Sequence, residues 1–208
     1  MSCWALVALK APAAAKGRLA ETLTAAERSQ LVGLMFDNVL HALRQARSID
    51  GIAVVTAEPL QAEGVTVLDD PGLGLNEALT HAACELATRG ISELLLLHAD
   101  LPLVNGAEID TMVAAGRRSG LAIAPDKLGQ GTNALFITLP LQFTFRFGPR
   151  SFEHHLAEAA LRQREATPVM LPGLAFDVDE PQDLARLLAE DDADYGFLGP
   201  ALDRSRSA

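Results

Sequence analysis

Four consecutive leucines at positions 94–97 constrain the fold of this chain most strongly. A short run that is apolar at every position is typical of a strand buried on both faces, as in a parallel sheet covered by helices. Asp100 follows just past the carboxyl end of this predicted strand. Ligands of open α/β sheets bind at that edge, and a carboxylate there is suited to hold a divalent cation against phosphate oxygens. The simpler alternative is that Asp100 only caps a turn.

Predicted strands and helices alternate along the rest of the chain. Strands are predicted at residues 4–9, 52–56, 65–68, 121–124, 134–139, 143–147 and 174–178. Helices are predicted from the capping boxes Thr24/Glu27 and Asn105/Glu108, at 75–89, from Ser151 to about residue 164 and from Pro181. This order predicts a single-domain, three-layer α/β/α sandwich with a mostly parallel, mixed sheet over residues 1–200, followed by a disordered tail at 201–208.

Composition narrows the functional classes. The 208 residues are 49% hydrophobic, which is enough for the core of one domain. The net charge of −10 argues against general nucleic-acid binding. No apolar run approaches the roughly 18 residues of a membrane span, and the first residues lack a basic signal-peptide region, so we expect a cytoplasmic protein.

Charged side chains follow three of the predicted strands. Lys10, Lys16 and Arg18 lie in the loop after the first strand, in a chain that has only one further lysine, Lys127. Asp177 and Asp179 end the predicted strand at 174–178, where alternation places them on one side of the backbone. Together with Asp100 they could share a Mg²⁺ ion. Alternatively, Asp179 caps the following helix and Asp177 is a surface residue.

Two glycine patterns and two histidines give weaker signals. The pattern at residues 129–134 matches a dinucleotide fingerprint, but a predicted strand follows where a helix is required, so a Rossmann site is rejected. The loop around Gly74 precedes a predicted helix and leaves backbone N–H groups for an acceptor-rich ligand, or is an ordinary loop. His154 and His155 point about 100° apart on a helix and are interpreted as surface or partly buried residues. The cationic loop and the aspartates together indicate phosphoryl or nucleotidyl transfer.

Several segments then occur in an informative order. They are Lys16-Gly-Arg18-Leu19, Asp70-Pro-Gly-Leu-Gly-Leu-Asn76, Ala99-Asp100-Leu-Pro102, Pro125-Asp126, Gly131-Thr132-Asn133-Ala134-Leu135, Phe147-Gly148-Pro-Arg-Ser151-Phe152 and Asp177-Val-Asp179-Glu-Pro181. In these segments the chain resembles the phospholactate/phosphoenolpyruvate guanylyltransferase family of coenzyme F420 biosynthesis. The resemblance implies a fold like that of the nucleotide-diphospho-sugar transferases. It also implies transfer of GMP from GTP to the phosphate of a small phosphorylated acid, with release of pyrophosphate.

The resemblance also implies a role for each matching residue. Asp100, Asp177 and Asp179 would hold Mg²⁺, and Lys16, with Arg18 beside it and Lys10 nearby, would contact the triphosphate. Gly74 and Asn76 would meet the guanine nucleoside. The phosphorylated acid would be held by Thr132, Asn133, Gly148 and Ser151. Lys16, Arg18 and Asp100 would be the catalytic residues. Gly17 departs from the family pattern, because members often carry a hydroxyl residue there.

Several alternatives stay open from the sequence. The acid is 2-phospholactate, phosphoenolpyruvate or 3-phosphoglycerate. A nucleotidyltransferase that uses CTP or a sugar phosphate is the nearest other enzyme, although this chain lacks the G-x-G-x-R type of loop expected after its first strand. A non-catalytic nucleotide-binding subunit is a third reading, and would bind GTP without Mg²⁺-dependent release of pyrophosphate. Assembly is left open, with a homodimer as one option.

Overall fold

A seven-stranded sheet forms the centre of the protein. The computed structural model describes residues 2–9, 16–190 and 193–206. The strand order is β3-β2-β1-β4-β6-β5-β7, and the strands are β1 (Cys3–Ala8), β2 (Gly51–Thr56), β3 (Val65–Asp69), β4 (Glu93–His98), β5 (Leu121–Pro125), β6 (Thr132–Thr138) and β7 (Thr167–Pro168). Neighbouring strands are parallel except where they pair with β6. The predicted mostly parallel, mixed sheet is therefore confirmed.

Helices cover both faces of the sheet, as predicted. The helices are α1 (Ala25–Gln45), α2 (Leu75–Thr88), α3 (Gly106–Ser119), α4 (Ser151–Leu161), α5 (Pro172–Ala175), α6 (Pro181–Ala189) and α7 (Leu198–Arg206). Leu95 and Leu97 of the central strand pack toward α1 and α3, whereas Leu94 and Leu96 pack toward α2 and α4. Each is at most 2% exposed. Burying a leucine on either face contributes about 2 kcal/mol, which explains why this strand is apolar at every position.

Side-chain caps fix where two helices begin. Thr24 and Glu27 form the predicted reciprocal capping box at the start of α1. Asn105 caps α3 by accepting from the backbone N–H of Glu108. The second half of that predicted box is absent, because the Glu108 carboxylate instead accepts from the backbone N–H of Gly173. This contact ties the start of α3 to the short helix α5.

Two predicted strands are wrong. Residues 143–147 form no ladder, although Phe143, Phe145 and Phe147 are all buried against the α2 face of the sheet. Their alternation reflects one buried face of a segment that pairs with no strand among the described residues. Residues 174–178 contain the end of α5 and then irregular backbone, in which Phe176 and Val178 are buried. Leu174, Phe176 and Val178 are buried in alternation, which produces a strand-like sequence pattern although the segment belongs to no sheet.

Residues 201–206, which belong to the tail predicted to be disordered, are helical. Helix α6 begins with Pro181 at its first turn, as predicted. Helix α7 continues to Arg206, and Ala201 and Leu202 are buried in a third apolar cluster with Leu31 of α1 and Leu187 of α6. Packing of this apolar face onto α1 and α6 explains the order of the segment. In the part of the chain that the structure describes, no helix is both long and apolar enough to cross a membrane.

The strand directions bring the predicted functional segments to one edge of the sheet. The carboxyl ends of the parallel strands β1, β2, β3, β4 and β5 meet there. Because β6 runs the other way, its amino end lies at the same edge. The end of β1, the turn after β4 and the start of β6 therefore lie at one edge of the sheet, where ligands of open α/β sheets bind.

Candidate active site

Lys16 joins the ends of two segments that are distant in sequence. Its Nζ lies 2.5 Å from Oδ2 of Asp100, just after β4, and 2.7 Å from Oδ1 of Asp179, just before α6. The Lys16 side chain is 7% exposed, whereas Asp100 is 25% and Asp179 is 46% exposed. Lys16 has a left-handed backbone conformation, with φ 56°. The structure thus brings together three of the predicted site residues around one buried ammonium group.

Electrostatics keep this cluster ionised. Burial alone would lower the pKa of Lys16, but the charges of Asp100 and Asp179 outweigh it and raise the pKa. Burial likewise opposes ionisation of Asp100, but Lys16, followed by His98, holds the pKa of that carboxyl below its usual value. A buried ammonium between two carboxylates is stable because each charge has a partner of opposite sign.

Asp177 completes a group of three neighbouring carboxylates. Burial raises the pKa of Asp177, and the negative charges of Asp100 and Asp179 raise it further against the opposing charge of Lys127. Oδ1 of Asp177 and Oδ1 of Asp100 are buried and accept no hydrogen bond from any residue that the structure describes. Buried carboxylate oxygens without donors, beside an excess of negative charge, fit a divalent cation.

The three aspartates do not form a ready-made metal site as they stand. Across residues 2–9, 16–190 and 193–206, no set of three or more carboxylate, imidazole or thiol side chains is arranged to hold a metal ion. The ammonium of Lys16 bridges Asp100 and Asp179. Binding of a shared metal ion by the three aspartates stays a prediction.

Lys127 also supports the site, although it is not among the site residues predicted from the sequence. Its Nζ donates to the backbone carbonyl of Asp177 at 2.9 Å and lies 2.7 Å from Oδ1 of Asp183. The other oxygen of Asp183 accepts from the backbone N–H groups of Asp179 and Glu180. Together these contacts fix the irregular segment that carries Asp177 and Asp179. The scarcity of lysine in the sequence was the only signal for it.

Of the other two cationic residues predicted after the first strand, the structure describes Arg18. Arg18 lies in a short 3-10 helix, Gly17–Leu19, and its guanidinium is 3.7 Å from the carboxylate of Glu180. It is 73% exposed, so its side chain is free to meet a ligand in solution. Lys10 lies outside the described residues.

The loop before α2 is tied to the segment before α4. Gly74 takes φ 103°, a conformation that favours glycine, and stands at the N-cap of α2. Asn76 donates from Nδ2 to the carbonyl of Phe147 and accepts at Oδ1 from the N–H of Phe147, at 3.1 and 2.7 Å. The amide predicted to meet the guanine nucleoside therefore holds the backbone of the predicted acid-binding segment.

The residues predicted to hold the acid fall into two groups. Thr132 begins β6, Ser151 begins α4, and Gly148 takes φ 134° in the turn that precedes α4. The N–H of Phe152 donates to the carbonyl of Gln130, which joins the start of α4 to the loop that leads into Thr132. Asn133 is different, because its buried amide donates to the carbonyl of Leu174 and supports α5.

Ser151 is not the N-cap of its helix. Arg150 occupies that position in a left-handed conformation, and the hydroxyl of Ser151 makes no cap. Ser151 is nonetheless 2% exposed at the first turn, where the helix dipole favours an anion.

His155, one turn further along, is fully buried rather than at the surface, while His154 is exposed. The 100° separation of the two side chains was right, but the sequence did not show which one faces the core.

Comparison with known proteins agrees with this arrangement. The family model described as "Guanylyl transferase CofC like" matches residues 3–198. The chain belongs to this family. Phosphoenolpyruvate guanylyltransferase of Sphaerobacter thermophilus is 40% identical and aligns over 99% of both chains. The enzyme of that name from Chloroflexus aurantiacus is 38% identical over 82% of this chain and 86% of its own length. As a CofC-like guanylyl transferase, the chain is a nucleotidyltransferase.

Solved structures show the same fold. A protein from Desulfovibrio desulfuricans G20, described as a nucleotide-diphospho-sugar transferase, superposes with a TM-score of 0.77 at 16% identity and covers 100% of this chain and 98% of its own. Rv0371c of Mycobacterium tuberculosis, solved as a complex with manganese, covers 91% of this chain and 99% of its own at 15% identity, with a TM-score of 0.51. The nucleotide-diphospho-sugar-transferase-like fold implied by the CofC-like sequence is confirmed.

Proposed function

We propose that this chain transfers GMP from GTP to the phosphate of phosphoenolpyruvate, in the cytoplasm, as a step of coenzyme F420 biosynthesis. The observation that carries the proposal is Lys16 held between Asp100 and Asp179 at the sheet edge where Thr132 also lies. A cation and acidic groups suit a triphosphate with its metal, and a small hydroxyl residue suits a second anion. The names of the two relatives support phosphoenolpyruvate as the acceptor among the three acids.

The reaction needs no general base from the protein. An ionised phosphate oxygen of the acid attacks the α-phosphorus of GTP, and the bond from that phosphorus to the bridging oxygen of the β-phosphate breaks. Pyrophosphate leaves with the electron pair, and the product joins guanosine and the acid through a new diphosphate. Protein groups that hold both reactants in line and neutralise the developing charge supply the catalysis.

Two cationic side chains carry charge neutralisation in this proposal. Lys16 moves from the carboxylates toward the triphosphate, because phosphate oxygens replace Asp179 as its acceptors. Arg18, 73% exposed and weakly held by Glu180, reaches the leaving pyrophosphate. The loop at Gly74 borders the guanine nucleoside, while Asn76 acts by holding Phe147 in place.

Asp100, Asp177 and Asp179 would hold Mg²⁺ in the complex with GTP. The donor-free oxygens of Asp100 and Asp177 and the crowding of negative charge fit a hard cation that prefers carboxylate ligands. The ion would neutralise charge on the α-phosphate. Lys127 and Asp183 keep the backbone of Asp177 and Asp179 in the required position.

A two-dimensional substrate panel tests the proposal. Release of pyrophosphate is measured for GTP, ATP, CTP and UTP, each with phosphoenolpyruvate, 2-phospholactate and 3-phosphoglycerate, with and without Mg²⁺. We expect GTP with phosphoenolpyruvate to give the highest kcat/KM, with mass spectrometry showing the guanosine diphosphate ester of the acid. A site that reads a base by hydrogen bonds discriminates strongly, because the wrong base leaves buried polar groups unpaired.

Each other outcome of the panel contradicts a stated part of the proposal. Equal rates with all four nucleotides contradict a guanine site. A higher kcat/KM with another acid contradicts phosphoenolpyruvate. Tight GTP binding without release of pyrophosphate under any condition identifies a non-catalytic nucleotide-binding protein.

A further inference from the structure

His155 makes a hydrogen bond through each of its ring nitrogens. Nδ1 lies 3.0 Å from Oγ1 of Thr132, the first residue of β6, and Nε2 lies 3.0 Å from the backbone nitrogen of Arg146. The side chain is completely buried, and the ring packs edge-on against Phe147 at 4.8 Å between centroids. One side chain thus connects β6 with the segment that leads to Gly148.

The contact with Arg146 fixes the proton on the ring. A backbone N–H can only donate, so Nε2 of His155 accepts and carries no hydrogen. A neutral imidazole then keeps its one hydrogen on Nδ1, and Nδ1–H donates to Oγ1 of Thr132. Burial, followed by the charges of His154, His98 and Arg146 and against that of Glu158, lowers the pKa of His155 to about 4, which agrees with a neutral ring.

This donation determines what the hydroxyl of Thr132 can do. Its oxygen already accepts from His155, so its own hydrogen points away from the ring. The residues that the structure describes offer no acceptor for that hydrogen. Thr132 is 1% exposed, and a buried hydroxyl hydrogen without a partner is costly unless a ligand accepts it.

We propose that His155 is a positioning residue of the acid site: it orients the Thr132 hydroxyl to donate to the phosphate of the acceptor. The inference rests on the proposed function, because it takes the acid as the ligand of Thr132. His155 itself touches neither substrate. The same ring also meets Phe143, at 5.8 Å between centroids, so its position is set by packing as well as by hydrogen bonds.

Two amide variants separate the two hydrogen bonds. His155→Asn places an amide near Nδ1, where it can still donate to Thr132, but is too short to reach Arg146. His155→Gln extends an amide oxygen toward Nε2, where it can accept from Arg146, and has no group at the Nδ1 position. His154→Gln, one residue away on the exposed face of α4, is the matched control.

We expect His155→Gln to raise KM for phosphoenolpyruvate about tenfold, because the hydroxyl of Thr132 is no longer oriented to donate to the phosphate of the acid. KM for GTP should stay within about twofold of the wild-type value. His155→Asn should stay within about threefold for both substrates, and His154→Gln should equal the wild type. Thr132→Val should raise KM for the acid as much as His155→Gln, and the double variant should be no worse than Thr132→Val alone. Equal losses in the Asn and Gln variants, or a rise confined to GTP, would overturn the proposal.

A measurement on the unmodified protein tests the hydrogen position without any substrate. Long-range ¹H–¹⁵N spectra, assigned by the signal missing in His155→Gln, report which ring nitrogen bears the hydrogen. Hydrogen on Nδ1 supports the proposal, and hydrogen on Nε2 contradicts it. If the ring has hydrogen on Nδ1 but no acid is guanylylated, the proposed function fails while the proton assignment holds.

Discussion

Lys16 follows β1, Asp100 follows β4, and the ammonium of the first lies 2.5 Å from Oδ2 of the second. The two residues are neighbours because β1 and β4 are adjacent parallel strands that end at the same edge of the sheet. With Asp179 on its other side, Lys16 occupies the position between carboxylates where a cation would otherwise sit. Lysine and a bound metal therefore compete for the same oxygens, and this competition can be measured.

Lys16→Met is expected to change two properties in opposite directions. Catalysis with GTP should fall by about 100-fold or more, because a cation aimed at the triphosphate is lost. Affinity for Mn²⁺ without nucleotide should rise severalfold, because Asp100 and Asp179 lose their counter-charge. Calorimetric titration of Mn²⁺ and steady-state kinetics measure the two effects. Weaker metal binding in the variant would contradict the competition between lysine and metal.

Asp100→Asn is expected to remove Mg²⁺-dependent turnover, with a loss of about 100-fold or more in kcat/KM. The melting temperature should drop by only a few degrees, because Lys16 keeps Asp179 as a partner and the substituted amide keeps the shape of the side chain. Asp37→Asn, an exposed carboxylate of α1, serves as control and should match the wild type in both measurements. Activity at the wild-type level in Asp100→Asn would show that this carboxylate is not a ligand.

Lys127→Met tests the support of the irregular segment that carries Asp177 and Asp179. The variant leaves the buried carboxylate of Asp183, 5% exposed, without its cation, although its two backbone donors remain. We expect the free energy of unfolding to fall by about 2–3 kcal/mol, and Mn²⁺ affinity to fall with it. In a double-mutant cycle, adding Asp183→Asn should cost less than it does in the wild type. Additive losses would mean that the two side chains do not act together.

Asn76→Ala tests the link between the two substrate loops. The substitution leaves the N–H and carbonyl of Phe147 without their side-chain partner, next to Gly148. KM for phosphoenolpyruvate should rise by about tenfold, and more than KM for GTP, because the loosened backbone belongs to the acid site. A rise only in KM for GTP would instead support direct contact of Asn76 with the nucleoside.

The buried neutral His155 makes stability depend on pH. Its pKa falls from 6.5 to about 4 on folding, mainly through burial, so between about pH 4 and pH 6.5 the unfolded chain binds more protons at this site than the folded chain. The contribution of His155 to the free energy of unfolding is complete above pH 6.5 and is lost as the pH falls toward 4. At pH 5 the loss amounts to about 2 kcal/mol. Chemical denaturation at pH 7 and pH 5 should therefore show a larger loss for the wild type than for His155→Gln. Equal losses would place the pKa of His155 near its ordinary value.

Local signals in the sequence were sufficient for most of the sheet and for the helix starts. The leucine run at residues 94–97 predicted a doubly covered strand, and both faces of that strand are buried. The capping box at Thr24 was predicted correctly because it depends only on two residues that are three positions apart. The alternating segments at 143–147 and 174–178 misled for the opposite reason: alternation reports one buried face and contains no information about a strand partner.

The sequence by itself determined the fold class, the family and the set of residue types at the sheet edge, because strand periodicity, caps and motifs are encoded over a few neighbouring positions. Only the tertiary structure decided how those residues are used. It placed Lys16 between two carboxylates, directed the Asn76 amide to Phe147 and buried His155 against Thr132. These contacts join positions up to 163 residues apart, and such pairings depend on strand order and packing, which no local pattern specifies.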